Sequence, residues 1–285
     1  MTAYELTFSE NLSICNFNIM SHKTSKFIIP NDTFIHHEGS GENINDWVKR
    51  YQKCIEIIQS VYVDIICLEE VTQEFYNLFP ISFNNDYYIY FKKDVNLLTM
   101  IKKSFCQTQP AELYIDSFKY SKLNAFAVTT TKGTIINIVN AHLIGTPSAT
   151  VERQTILKYL IETLPNVIVL GDYNESIYDL IDPEFNNFLN ENESILTNQG
   201  DVMTSYSRYI INQGGFVTGV KEFPWENIDN ILYSKNYNLL FATIFPKNGL
   251  EGRTVPYKPL GNYMYAKNID EWPSDHSLNI YEFLF

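Results

Sequence analysis

Along the chain, short runs rich in β-branched and aromatic residues alternate with polar clusters. Such runs occupy 11–19 ("NLSICNFNI"), 61–68 ("VYVDIICL"), 86–92, 95–101, 111–118, 123–130 and 134–143 ("TIINIVNAHL"). Others follow at 166–171, 229–234, 237–245 and 277–284. Their length, composition and bounding polar residues predict strands. Two stretches carry a helical period instead. In "INDWVKRYQKCIEIIQSV" the residues Val48, Tyr51, Ile55 and Ile58 recur at spacings of three and four, with Asn45 or Asp46 as the expected cap. In 148–164 Val151, Ile156, Leu157, Leu160, Ile161 and Leu164 are expected inward, after a cap at Ser148. A third helix is predicted within 176–190.

Many strands, few helices and tight turns such as "KG" at 132–133 predict mixed sheets packed face to face with helices outside. There is no internal repeat and no low-complexity linker. Three long polar stretches, 20–44, 198–227 and 246–274, read as loops, and ordered loops of that length are usually functional.

Composition narrows the class. Of 285 residues 45% are hydrophobic, ample for a large core. No window is apolar enough to span a membrane and the start lacks a signal-peptide pattern, so an unexported protein without membrane insertion is expected, cytoplasmic or alternatively nuclear. Cys15, Cys54, Cys67 and Cys106 lack metal-site spacing and are expected as buried reduced thiols. A formal charge of −12 opposes non-specific binding to duplex DNA, so an anionic substrate must meet local positive charge or a metal. No feature calls for an obligate protein partner.

The apolar runs end in polar residues of a particular kind: Asn16 and Asn18, Glu69 and Glu70, His142, Asp172 and Asn174, Asp229, then Asp275 and His276. Singly, each reads as a turn, a helix cap or a satisfied core group. Together, they bring repelling carboxylates to the ends of neighbouring strands, which costs free energy unless a cation or proton sits among them. Oxygen ligands without cysteine suit magnesium or manganese.

In order and spacing, "FNI" at Asn18, "LEEV" at Glu70, "AHL" at His142, "GDYN" at Asp172 and Asn174, "IDNIL" at Asp229 and "SDH" at Asp275–His276 resemble the endonuclease/exonuclease/phosphatase superfamily, from about residue 11 to 284. The resemblance implies a four-layer α/β/β/α sandwich forming one domain over 1–285, because a single site draws on residues 18 to 276. It implies Glu70 as principal metal ligand with Asn18 and Asp275, Asp172 to orient or deprotonate water, and Asn174 to hold a phosphate oxygen. His276, with its tautomer set by Asp229, would be general base or phosphate clamp, and His142 would stabilise the departing oxygen. One position departs from the pattern. Glu69 stands where the family commonly has glutamine, and a regular strand would turn Glu69 away from Glu70.

"W..RY" at Trp47, Arg50 and Tyr51, "RQ..L" at Arg153–Gln154 and "WPSDHSL" are similar to the deadenylase and nocturnin-like branch, and tyrosyl-DNA phosphodiesterases share many of the same motifs. The implied activity is magnesium- or manganese-dependent phosphodiester hydrolysis on a single-stranded nucleic acid end or a nucleotide. Phosphoinositide or sphingomyelin-type phosphoesterases and an inactive binding protein on the same fold are the alternatives. Within 247–267, Lys247, Arg253 and Lys258 with Tyr257, followed by Trp272, are candidate substrate contacts, since cations with interleaved aromatics suit a single strand.

Overall fold

The computed structural model describes residues 10–21, 44–116, 118–146, 148–197, 210–211, 217–219, 228–245, 273–274 and 276–285. One six-stranded sheet runs β13-β14-β1-β2-β4-β3, with β1 Asn11–Asn18, β2 Ile65–Glu69, β3 Tyr87–Lys92, β4 Leu97–Lys102, β13 Asn238–Phe245 and β14 Leu278–Leu284. The other runs β5-β6-β7-β8-β12-β9, with β5 Ala111–Leu113, β6 Lys122–Thr129, β7 Ile135–His142, β8 Val167–Asp172, β9 Ser194–Thr197 and β12 Asp229–Ser234. Both are mixed: β1 and β2 are parallel, as are β7 and β8, and the remaining pairs are antiparallel. A separate two-stranded ribbon joins β10 Ile210–Ile211 to β11 Val217–Gly219.

Period-two alternation sends each central strand's side chains into two different cores. Leu12 and Ile14 of β1 join Ile65 and Cys67 of β2 between the sheets, against Ile136, Ile138, Ile168 and Leu170. Cys15, Phe17, Ile66 and Leu68 point the other way, onto Tyr51, Cys54, Ile55 and Ile58 of α1 Ile44–Ser60 and Phe75 of α2 Gln73–Leu78. On the far side Val139, Val167 and Val169 meet Ile156, Leu157 and Leu160 of α4 Thr150–Thr163, and Phe185 and Leu189 of α6 Pro183–Glu191. The result is the expected α/β/β/α sandwich.

Several local expectations are corrected. Asn45 and Asp46 lie inside α1, which begins at Ile44, so neither caps it. In α4 the residue at the N-cap is Ala149, not Ser148. Val151 is 73% exposed, because the buried face is carried round by Arg153 and Gln154, polar residues that sequence periodicity leaves out. The helix expected within 176–190 is two, α5 Ile177–Leu180 and α6, each with a polar cap: Ser176 accepts from the Asp179 N–H and Asp182 from that of Phe185. Residues 61–64 and 114–116 are not strand, and β9, β10 and β11 are additional. Cys15, Cys54 and Cys67 are buried free thiols, as expected; Cys106 is a free thiol that is only partly buried. Among the described residues no helix is long and apolar enough to cross a membrane.

Candidate active site

The two parallel pairs direct their C-terminal ends to the same end of the sandwich. In the first sheet Asn18 lies beside Glu69. In the second, His142 lies beside Asp172, and Asp172 beside Asp229, so three adjacent strands present a row of His, Asp and Asp. All five positions continue the inter-sheet faces of their strands. The polar ends the sequence scatters over more than two hundred residues therefore face one another across the gap.

Asp172 is the focus. Its Oδ1 accepts the Asn174 backbone N–H at 2.8 Å. Its Oδ2 accepts from Asn18 Nδ2 at 3.0 Å, across the sheet gap. The Nε2 atoms of His142 and His276 stand 3.7 and 3.8 Å from that same oxygen. His276 Nδ1 in turn lies 3.2 and 3.0 Å from the two oxygens of Asp229, which is fully buried. That contact assigns the Nδ1 proton to the Asp229 side and leaves Nε2 toward Asp172. Burial lowers the His142 pKa below the ordinary histidine value, against the opposing pull of Asp172 and Glu70; Lys122 and His276 also lower it. The neutral ring therefore predominates at pH 7.

Glu70 follows the last residue of β2 with φ +57°, a left-handed conformation uncommon outside glycine. The chain therefore bends at the Glu69–Glu70 pair, and the strict alternation of a regular strand ends there. Glu69 continues the strand into the gap, fully buried, and neither carboxylate oxygen has a hydrogen-bond partner. Desolvation, then the carboxylates of Asp229 and Asp172, raise its pKa well above the usual range. Glu70, turned by the bend, accepts from the Ser21 N–H at 2.7 Å and from Asn18 Nδ2 at 3.4 Å. Asn18 turns Nδ2 toward both carboxylates while its Oδ1 accepts the Met20 N–H at 3.0 Å, so the oxygen donor facing the site here is the Glu70 carboxylate. An amide and a carboxylate beside Asp172 fit a hard divalent cation, which would also relieve the crowding of four acidic groups.

Two buried arginines that the sequence reading tied only to a branch resemblance hold the loops of the site. Arg50 of α1 donates to the carbonyls of Ile19 and Met20, both at 2.7 Å, and of Pro273 at 3.2 Å. It joins the chain after Asn18 to the chain before His276. Arg153 of α4 donates to the carbonyls of Ile144 and Thr146 and to the Glu175 carboxylate, fixing the segments after His142 and Asn174. Ser274 adds a bond from its hydroxyl to the Asn18 carbonyl at 2.6 Å. Beyond that resemblance, a cation among the apolar positions of a helix is the sequence signal for either arginine. Asn174, at φ +55°, donates from its side chain to the Leu143 carbonyl at 2.9 Å and so ties the turn after β8 to the end of β7. Gly171 leaves room for this convergence, since a Cβ there would lie 2.0 Å from the Ala141 carbonyl oxygen and 3.1 Å from Glu69.

The structure brings together Asn18, Glu70, His142, Asp172, Asn174, Asp229 and His276. The remaining candidates, Asp275, Lys247, Arg253, Tyr257, Lys258 and Trp272, lie outside the described residues.

The profile of the Endonuclease/Exonuclease/phosphatase family matches residues 16–276, most of the chain. The chain belongs to that family. Solved structures share the family's fold. D. rerio TDP2, in a structure titled as complexed with single strand DNA product, has 16% identity and a TM-score of 0.61, covering 96% of this chain and 98% of that one. ANGEL2, titled a 2′,3′-cyclic phosphatase, has 15% identity and a TM-score of 0.57 over 97% and 95%. The 3′ phosphatase NExo from Neisseria, bound to product DNA hairpin, has 13% identity and a TM-score of 0.51 over 95% and 99%. No curated protein sequence matches this chain. As a member of the Endonuclease/Exonuclease/phosphatase family, it carries Asn18, Glu69, His142, Asp172 and Asp229 on the ends of its strands.

Proposed function

We propose that this chain is a divalent-metal-dependent phosphodiesterase acting on a single-stranded nucleic acid end or a nucleotide, with residues 1–285 forming one domain. The observation that carries this reading is the convergence of Asn18, His142 and His276 on one oxygen of Asp172. Hydrolysis of a phosphodiester needs an attacking water, charge compensation on the phosphoryl oxygens and a stabilised leaving oxygen. Asp172, held by Asn18 and the Asn174 N–H, is placed to orient a water and take its proton as the water oxygen bonds to phosphorus. His276, its Nδ1–H held by Asp229, leaves Nε2 as an acceptor that can take a hydrogen bond from that water and help orient it. His142, kept neutral by burial, can donate an N–H to the oxygen whose bond to phosphorus breaks. Glu70 and Asn18, with Asp275 as a third ligand, would hold magnesium or manganese, which when bound polarises the phosphoryl group.

Magnesium-dependent cleavage of a short single-stranded RNA or DNA, abolished by chelator and by Glu70→Ala, is the expected result. Equal rates with and without chelator, or turnover confined to phosphoinositide or sphingomyelin, would overturn the reading.

A further inference from the structure

Beside the catalytic row, at the open edge between the sheets, lies a cavity of ≈ 380 Å³ lined by Tyr76, Tyr90, Phe91, Lys92, Glu112 and Asn124. The registers fix its place. Lys122 pairs with His142 across β6 and β7, and Asn124 pairs with Asn140, two positions further along. Adjacent strands are roughly 4.8 Å apart and two strand residues span about 7 Å, so the cavity begins within one nucleoside of a phosphate held at His142. Lys122 occupies the same inter-sheet face and is close enough to lower the His142 pKa through its charge.

The lining has the chemistry of a base site. Tyr76 and Phe91 stack on each other with centroids 4.8 Å apart on the helix side of β3, and Tyr90 stands on its inter-sheet side against Phe126; all three are only partly buried. Lys92 forms an ion pair with Glu112 at 3.2 Å across the mouth. Asn124, 2% exposed, lines the interior, and its carbonyl oxygen has no hydrogen-bond partner. A buried amide oxygen without a partner is costly. It is useful where an aromatic-walled slot receives a group with its own donor–acceptor edge, since an amide offers both in one plane. On the segment before β6, which Ser121 joins to the Ile144 N–H, Tyr120 is 57% exposed and Lys119 stands over its ring at 4.8 Å.

We infer that this cavity binds the nucleobase of the nucleotide adjoining the phosphate under attack. The assignment rests on the phosphodiesterase reading above and adds a base-specific contact to it. Calorimetric titration with AMP, CMP, GMP and UMP, with ribose 5-phosphate as the base-free control, tests the cavity without turnover. At least one nucleotide is expected to bind ten-fold or more tightly than ribose 5-phosphate, and Asn124→Leu and the surface variant Lys92→Ala are each expected to erase most of that difference. In steady-state assays, KM for a base-bearing oligonucleotide should rise at least five-fold in Asn124→Leu with kcat within two-fold, while a fully abasic oligomer is cut as by wild type. Equal affinity for nucleotides and ribose 5-phosphate, or both variants binding as wild type, would overturn the inference. If neither oligomer is cut, the phosphodiesterase reading fails, and the calorimetry still decides whether the cavity takes a base.

Discussion

Asn18 on one sheet donates to Asp172 on the other at 3.0 Å, and the same amide nitrogen reaches Glu70 at 3.4 Å. One side chain therefore joins the proposed water-orienting carboxylate to the proposed metal ligand. Asn18→Asp would replace a shared donor by a further carboxylate. Activity should fall at least 100-fold. In chelator the variant should unfold at lower temperature than wild type, by the equivalent of about 1–3 kcal/mol for the lost charge-assisted bonds, and added magnesium should recover part of that loss. Thermal melts with and without magnesium read both effects.

Glu69 makes stability depend on pH. Its folded-state pKa is raised by desolvation and by Asp229 and Asp172, so the folded state holds a proton that the unfolded chain loses near the ordinary glutamate value. The sign follows: its contribution is complete below that value and is lost as pH rises above it toward the folded-state pKa. In metal-free protein, Glu69→Gln should therefore be more stable than wild type at neutral pH and should flatten this part of the profile. Urea titrations from pH 4 to 8 in chelator measure it; a wild-type-like slope would exclude Glu69 as the source.

The Asp229–His276 pair sets a tautomer rather than providing charge to solvent, since both residues are buried. Asp229→Asn keeps the volume but can present an N–H to Nδ1, favouring the wrong tautomer. A loss of about 10²–10⁴ in kcat with little change in KM is expected, the range of a general acid–base contribution. Single-turnover kinetics with a nucleic acid substrate distinguishes this from weakened binding.

Arg50 is fully buried and satisfies three carbonyls on two separate segments. Arg50→Met fills similar space but leaves those oxygens without their donor. A destabilisation of about 3–5 kcal/mol is expected by chemical denaturation, and at temperatures where the variant remains folded its activity should still be reduced, because the Asn18 and His276 segments lose their common anchor.

Hydrophobic patterning by itself determined the strands, the two long helices and the layered class, because alternation with period two and period 3.6 is local. The residue types at the strand ends singled out the candidate site positions, because carboxylates gathered there call for a cation or a proton. What patterning missed was local exception or distant contact. β9 is four residues long, and Arg153 and Gln154 break the apolar face of α4 by burying polar groups whose partners lie on other segments. Only the tertiary structure decided where the Glu69 and Glu70 carboxylates go, since that turns on one left-handed residue after β2. It alone decided that Asp172 is the meeting point, because Asn18, His142 and His276 reach it from two sheets. Strand register is set by packing between segments far apart in the chain, so no local reading can specify it.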